Sequence, residues 1–179
     1  MLAVAIWGGL AIAIPTGPAW AASETIEARE TASDAAAIAR EDLAETFGDK
    51  YLKPGQYVWK SRAEATGAPR VVISLSDQLA YLYRGDTLIA VSTISSGQPG
   101  RDTPTGIFSV LDKQLLHRSV KYDNAPMPHM QRIDDYGVAL HAGFNPGHPA
   151  SHGCIRLPAQ FAAKLYTVTN VGTPVLIGS

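Results

Sequence analysis

The chain has almost no cysteine, no run of basic residues and little net charge. Cys154 is the single cysteine among 179 residues, so no disulfide closes within the chain. The thiol is therefore a reactive group, an intermolecular link or an inert buried residue. The formal charge is −1 and no Lys/Arg cluster is present, which removes the electrostatic signature of a nucleic-acid binder. No internal repeat, phosphate-cradling glycine loop or paired-carboxylate site stands out. Asp134-Asp135 is a carboxylate pair, but neighbours on a strand point to opposite faces, so it reads as turn or surface.

Charged side chains are also missing from Met1 to Ala22. Leu2 to Ile14 are almost wholly apolar, and Pro15, Gly17 and Pro18 precede Ala19-Trp20-Ala21. A hydrophobic core followed by small residues reads as a secretory signal cut before Ala22. The absence of a basic n-region leaves two alternatives: a start further upstream, or retention of 1–21 as a membrane anchor. The apolar run is shorter than the roughly 20 residues of a bilayer span, and its Pro-Gly-Pro end breaks a helix. Each reading places the rest of the chain in the periplasm or cell envelope.

What is present suits one globular domain plus an appended segment, with 46% apolar residues, 12 prolines and 16 glycines. Glu24 to Lys50 holds eight acidic and three basic residues, whereas the remainder holds eight and twelve. The larger region is mildly cationic, matching an anionic partner or simply a solvated surface. Ser23 to Phe47 lacks Gly and Pro, and Ala35, Ala39, Leu43 and Phe47 recur at i, i+4 spacing, which predicts a helix ended by Gly48. The stretch from Lys53 to Pro69 reads as a turn-rich connection around Tyr57-Val58-Trp59. From Arg70 onward short β-type runs follow: Val71 to Leu75, Leu79 to Tyr83 and Leu88 to Ile94 about an Arg84-Gly85-Asp86 turn, Ile107 to Leu111, Tyr136 to His141 and Thr173 to Ile177. Lys113 to Arg132 looks irregular, and Pro158 to Tyr166 predicts a helix. The expected division is a signal or anchor at 1–21, a helical and linker segment at 22–68, and a mostly β domain with one or two helices at 69–179.

Chemistry concentrates in Leu140 to Leu157, which brings Cys154 close to three of the five histidines, His141, His148 and His152. A thiol is only a few per cent thiolate at neutral pH and needs a base or positive dipoles to act as a nucleophile. Gly143, Pro146, Gly147 and Pro149 let the chain fold back and set His141 against the sulfur. His152 is the second candidate, facing Cys154 only if the backbone bends. The side-chain-free Gly153 admits a carbonyl to the amides of His152, Gly153 and Cys154, a possible oxyanion site. Ser151 orients an imidazole or makes a turn bond. Arg156 binds a substrate carboxylate or sits in an internal ion pair. Zinc ligation by His141, His148, His152 and Cys154 is the rival, at spacings that match no established pattern.

The run Ser151-His152-Gly153-Cys154-Ile155-Arg156-Leu157, with His141 before it and Thr103-Pro104-Thr105-Gly106 following a Gln78-containing hairpin, resembles the L,D-transpeptidase catalytic domain of bacterial cell-wall enzymes. The likeness spans roughly Arg70 to Ile177. It implies a β-sandwich-like fold with the cysteine in a cleft under a flexible lid, and no cofactor or metal. It implies that Cys154 attacks the peptidoglycan stem peptide between the L-centre of a diamino acid and the following D-alanine, with an amine of a second stem resolving the thioester. By resemblance His141 is the base, its ring held by a backbone carbonyl, and His152 and Gly153 shape the oxyanion site. Tyr122, Pro126, Met127 and Met130 fall where the family has its lid, giving Tyr122 and Met127 a substrate-binding role beside Ser151 and Arg156. The loop from His141 to Ser151 is shorter than in many members, and Arg156 stands where many have Asn. The same thiolate chemistry implies acylation by carbapenem-type β-lactams. Two alternatives remain: a hydrolase of the same thioester, acting as an L,D-carboxypeptidase or releasing a wall-attached protein, and a non-catalytic peptidoglycan-binding module.

Overall fold

In a computed structural model describing residues 22–48, 50–60 and 65–179, the alanine-rich segment forms α1 (Ile26–Phe47). The signal-or-anchor expectation for 1–21 lies outside the described residues. Thr25 caps the helix start, its Oγ1 accepting from the Ala28 amide at 3.2 Å, and Gly48 ends it with φ 77°. The expected start at Ser23 is early by three residues, because Ser23 is drawn onto a sheet edge, exchanging two backbone hydrogen bonds with Ile107.

Two sheets follow. The larger contains β1 (Tyr57–Trp59), β2 (Pro69–Ser74), β3 (Leu79–Arg84), β4 (Thr87–Thr93), β5 (Gly106–Ser109) and β10 (Pro174–Gly178), in the order β1-β4-β3-β2-β10-β5. All neighbours are antiparallel except β2 and β10. The smaller contains β6 (Asp112–Arg118), β7 (Pro126–Arg132), β8 (Ala139–Ala142) and β9 (Ile155–Leu157) in chain order, with β8 and β9 parallel. A second helix, α2 (Ala159–Val168), leads from β9 back to β10 with Pro158 as its N-cap. The described residues are thus mostly β with two helices. Among the described residues no helix is long and apolar enough to cross a membrane.

Burial on both faces of the larger sheet explains its nearly unbroken apolar strands. Val71, Ile73, Ala80 and Leu82 face a core shared with Leu140, Ile155, Leu157, Phe161 and Leu165 of the smaller sheet and α2. The alternate residues Val72, Tyr81 and Tyr83 face α1, which buries Ala32, Ala35, Ala36, Ala39 and Leu43. Small helix residues let α1 sit close. A Cβ placed on Gly178 would lie 2.5 Å from the Ala32 carbonyl oxygen and 2.7 Å from the Ser33 Cα. Because those atoms are backbone, Gly178→Ala is expected to cost about 2–3 kcal/mol, an overpacking penalty. The check is a lower midpoint of urea unfolding at unchanged slope.

Two expectations need correction. Tyr57-Val58-Trp59 is an edge strand of the main sheet, paired with β4 and packed on Phe161 through Tyr57 and Trp59, rather than part of a connection. Lys113 to Arg132 is not irregular but lies almost wholly within the β6–β7 hairpin, with Asp123 and Asn124 at positive φ in its turn. Pro126 and Pro128 are tolerated because β7 meets β8 only at Gln131 and Arg132. Nearer the tip its second edge is open, where a missing N–H removes no ladder bond.

Candidate active site

The parallel pair β8 and β9 sets the central geometry. His141 lies opposite Arg156 and Leu140 opposite Ile155, so Cys154, one residue before β9, falls beside Ala139. Facing residues and their i+2 neighbours share a side of a sheet. His141, Arg156 and Cys154 therefore look into one cleft of about 1020 Å³, roofed by the β6–β7 hairpin. His141 is the third of four residues in β8, with Ala142 after it.

His141 is buried, and its Nδ1 bonds the Ala142 carbonyl oxygen at 2.8 Å. A carbonyl only accepts, so Nδ1 carries the proton and Nε2 is left bare toward the cleft. Burial lowers the imidazole pKa below its ordinary value, and the charges of Arg156 and His117 lower it further, against the Ala142 bond that raises it. Cys154 is half-buried against Met127, Met130 and Ala139, and its Sγ donates to the Gly137 carbonyl oxygen at 3.7 Å. Burial pushes the thiol pKa up. Both shifts favour the uncharged pair, thiol with neutral imidazole, over thiolate with imidazolium. Alkylation by iodoacetamide is accordingly expected to rise with pH through one step centred above the ordinary thiol range. The rate measured from pH 4 to 10.5 should lack the low-pH plateau of a preformed ion pair.

The nucleophile turn is held from within and from behind. Ser151 is buried, its Oγ donating to the Cys154 carbonyl oxygen and accepting from the Gly153 amide at 3.1 Å. Ser151 thus makes the turn bond and neither orients His141 nor offers its hydroxyl to a substrate. The same bond corrects the oxyanion expectation for Gly153, whose N–H is engaged. Gly153 is needed for its φ of 112°, since a Cβ there would meet nothing nearer than 3.7 Å. The His152 and Cys154 amides donate to nothing among the described residues. Behind the turn, the Thr103 hydroxyl donates to the Gly153 carbonyl oxygen at 2.9 Å and accepts from the Gly97 amide. Ser96 O accepts from the Ala150 and Ser151 amides, and Gln78 holds Ser96 through both ends of its amide group. Ser96 and Gly97 were not singled out by sequence; Thr103 was, only as the first residue of the Thr103-to-Gly106 motif near Gln78.

The remaining expected residues divide. His152 is exposed and stacks on Tyr122 of the hairpin tip, ring centroids 4.4 Å apart, so its ring does not face the thiol. Tyr122 and Met127 both line the cleft, Tyr122 at its mouth and Met127 beside the sulfur. Arg156 lines the cleft with no ion pair among the described residues, which removes the internal-pair alternative. The zinc donors do not converge: His148 is exposed and turned to the Pro149 carbonyl. Among the described residues no three His, Cys, Asp or Glu side chains form a metal-binding group. Asp134 Oδ1 accepts from the Tyr136 and Val138 amides, shaping the turn before β8.

A thiol, a bare imidazole nitrogen and two unengaged amides thus share one cleft. That is the equipment of acyl transfer through a thioester.

Comparison with known proteins points to one family. The model of the YkuD family, the L,D-transpeptidase catalytic domain, matches residues 68–177. A comparison with curated protein sequences finds no match. Among solved structures, the LD transpeptidase LdtMt1 in complex with imipenem is 25% identical, covers 62% of this chain and 58% of its own, and superposes with a TM-score of 0.56. An L,D-transpeptidase from Mycobacterium smegmatis shares the fold at 21% identity and TM-score 0.59, covering 73% of this chain and 70% of its own. A mutant Enterococcus faecium L,D-transpeptidase is 25% identical with TM-score 0.53, covering 63% and 50%. The match to LdtMt1 spans about three-fifths of that chain's length.

Proposed function

Because the chain belongs to the L,D-transpeptidase catalytic domain family, we propose that it is a cysteine-dependent L,D-transpeptidase that cross-links peptidoglycan stem peptides. One observation carries this reading: the bare Nε2 of His141 shares a cleft face with the half-buried Cys154 thiol, while Nδ1 is tied to the Ala142 carbonyl.

The steps follow from that geometry. The Cys154 sulfur bonds the carbonyl carbon of the diamino acid as its proton passes to His141 Nε2. Negative charge gathers on the carbonyl oxygen, to which the Cys154 and His152 amides can donate. The imidazolium returns the proton to the departing nitrogen, the C–N bond breaks and D-alanine leaves. The amine of a second stem then attacks the thioester, giving up a proton through His141, and the thiol is restored. The hairpin bearing Tyr122 and Met127 covers the cleft as a lid, with Tyr122 stacked on His152. A strained β-lactam ring offers the same thiol an acyl group, which makes carbapenems expected covalent inhibitors; LdtMt1 was solved with imipenem. Such chemistry belongs to the periplasm or cell envelope, and the charge-free segment 1–21 supports export.

Incubation with purified tetrapeptide muropeptides tests the proposal. Cross-linked dimers with release of D-alanine are expected. Shortened monomers alone would make the protein a hydrolase, and muropeptide binding without any product would make it a wall-binding module.

A further inference from the structure

One guanidinium of the cleft wall meets neither a hydrogen-bond, an ion-pair nor a ring partner among the described residues. Arg101, Lys121, Arg132 and Arg156 all line the cavity. Arg132 Nη1 donates to the Asp134 carbonyl oxygen at 2.8 Å and pairs with Asp135 at 3.6 Å. Arg101 and Lys121 lie over the Tyr122 ring at 5.7 and 5.6 Å. Arg156 alone has no partner for its side chain among the described residues. Its stem is laid against Gly143, where a Cβ would come within 3.1 Å of the Arg156 Cγ, so the absence of that Cβ makes room for the side chain beside His141.

His117, on the lid hairpin, lines the same cavity. Its Nδ1 donates to Gln114 Oε1 at 2.8 Å, and Gln114 Nε2 donates to Asp112 Oδ2 at 2.9 Å. The carboxylate fixes which way the Gln114 amide points, and an amide oxygen only accepts. The His117 proton therefore sits on Nδ1 and Nε2 is left without a partner. Arg156 and His117 both act on the charge state of His141, so the three share one field.

We propose that Arg156, facing His117 of the lid across the cavity, forms a carboxylate subsite for the donor stem peptide, resting on the transpeptidase reading above. Two carboxylates have the required chemistry: the terminal one on the departing D-alanine, and a side-chain carboxylate where the diamino acid carries one. The guanidinium supplies a two-pronged, always-charged donor. A bound carboxylate also cancels the positive field at His141, so the base strengthens when the donor is seated.

The test uses synthetic tetrapeptide donors in which each carboxylate in turn is free or amidated, with acyl-enzyme formation followed by quenched intact-mass measurement. Wild type is expected to favour one free acid over its amide by about 10- to 100-fold, the weight of a charge-assisted hydrogen bond; the donor that shows the ratio identifies the carboxylate. Arg156→Gln should lose the ratio, and Arg156→Lys should keep part of it. An equal fall for acid and amide in Arg156→Gln, or no preference in wild type, overturns the subsite and leaves acylation standing. A wild type that forms no acyl-enzyme with any donor overturns the transpeptidase reading and the subsite together.

Discussion

Cys154→Ala is expected to abolish the covalent imipenem adduct and to slow acyl transfer on the order of 10⁶-fold, the scale of removing a nucleophile that works with its base as a unit. Intact mass reads the first and D-alanine release the second. The expectation is this severe because Cys154 is the only thiol in the chain and Ser151, the nearest hydroxyl in sequence, is bound within the turn. An adduct that persists in the alanine variant would move the nucleophile elsewhere. The surrounding turn should survive, since its hydrogen bonds run through the Cys154 carbonyl, Ser151, Gly153 and Thr103 rather than through the sulfur.

His141→Asn is the second large effect. The asparagine amide nitrogen can take the Nδ1 place and keep the bond to the Ala142 carbonyl, but no nitrogen remains to accept the thiol proton. Acylation by imipenem should fall about 10²- to 10⁴-fold, the usual worth of a positioned general base. The pH profile separates this from misfolding. In wild type the rate should climb through the lowered imidazole pKa and hold through neutrality, because the neutral ring is the active form. In the asparagine variant that step should vanish and the rate should instead track free thiolate, rising only above the ordinary thiol range because burial raises the Cys154 pKa. A variant that kept the wild-type step would show that another group removes the proton.

Much of the scaffold was legible because its signals are local. Alanines at helical spacing announced α1, and the unbroken apolar runs of β2, β3 and β4 reflect a sheet covered by α1 on one side and by α2 and the smaller sheet on the other. The lid hairpin was missed for a physical reason. Leu115 and Leu116 are both exposed and break the alternation, and two prolines occupy a strand whose second edge is open. The Asp123-Asn124 pair, both at positive φ, was the turn signal that could have revealed it. At the site, adjacency in sequence misled twice. Ser151 and Gly153 stand next to the nucleophile yet bond to each other, and His152 turns outward to Tyr122. The groups that brace the turn, Gln78, Ser96, Gly97 and Thr103, come from 50 or more residues earlier in the chain, where only the fold brings them together.

The central claim is that an acyl group from the stem peptide rests on Cys154 between the two half-reactions. Trapping it tests that claim most directly. The protein is mixed with a tetrapeptide donor in the absence of an amine acceptor, quenched in acid, weighed intact and mapped by proteolysis. The account predicts a mass gain equal to the donor minus D-alanine, confined to the peptide containing Cys154 and released by hydroxylamine. Release of D-alanine with no mass gain at any quench time, or a gain on a peptide that lacks Cys154, would contradict it.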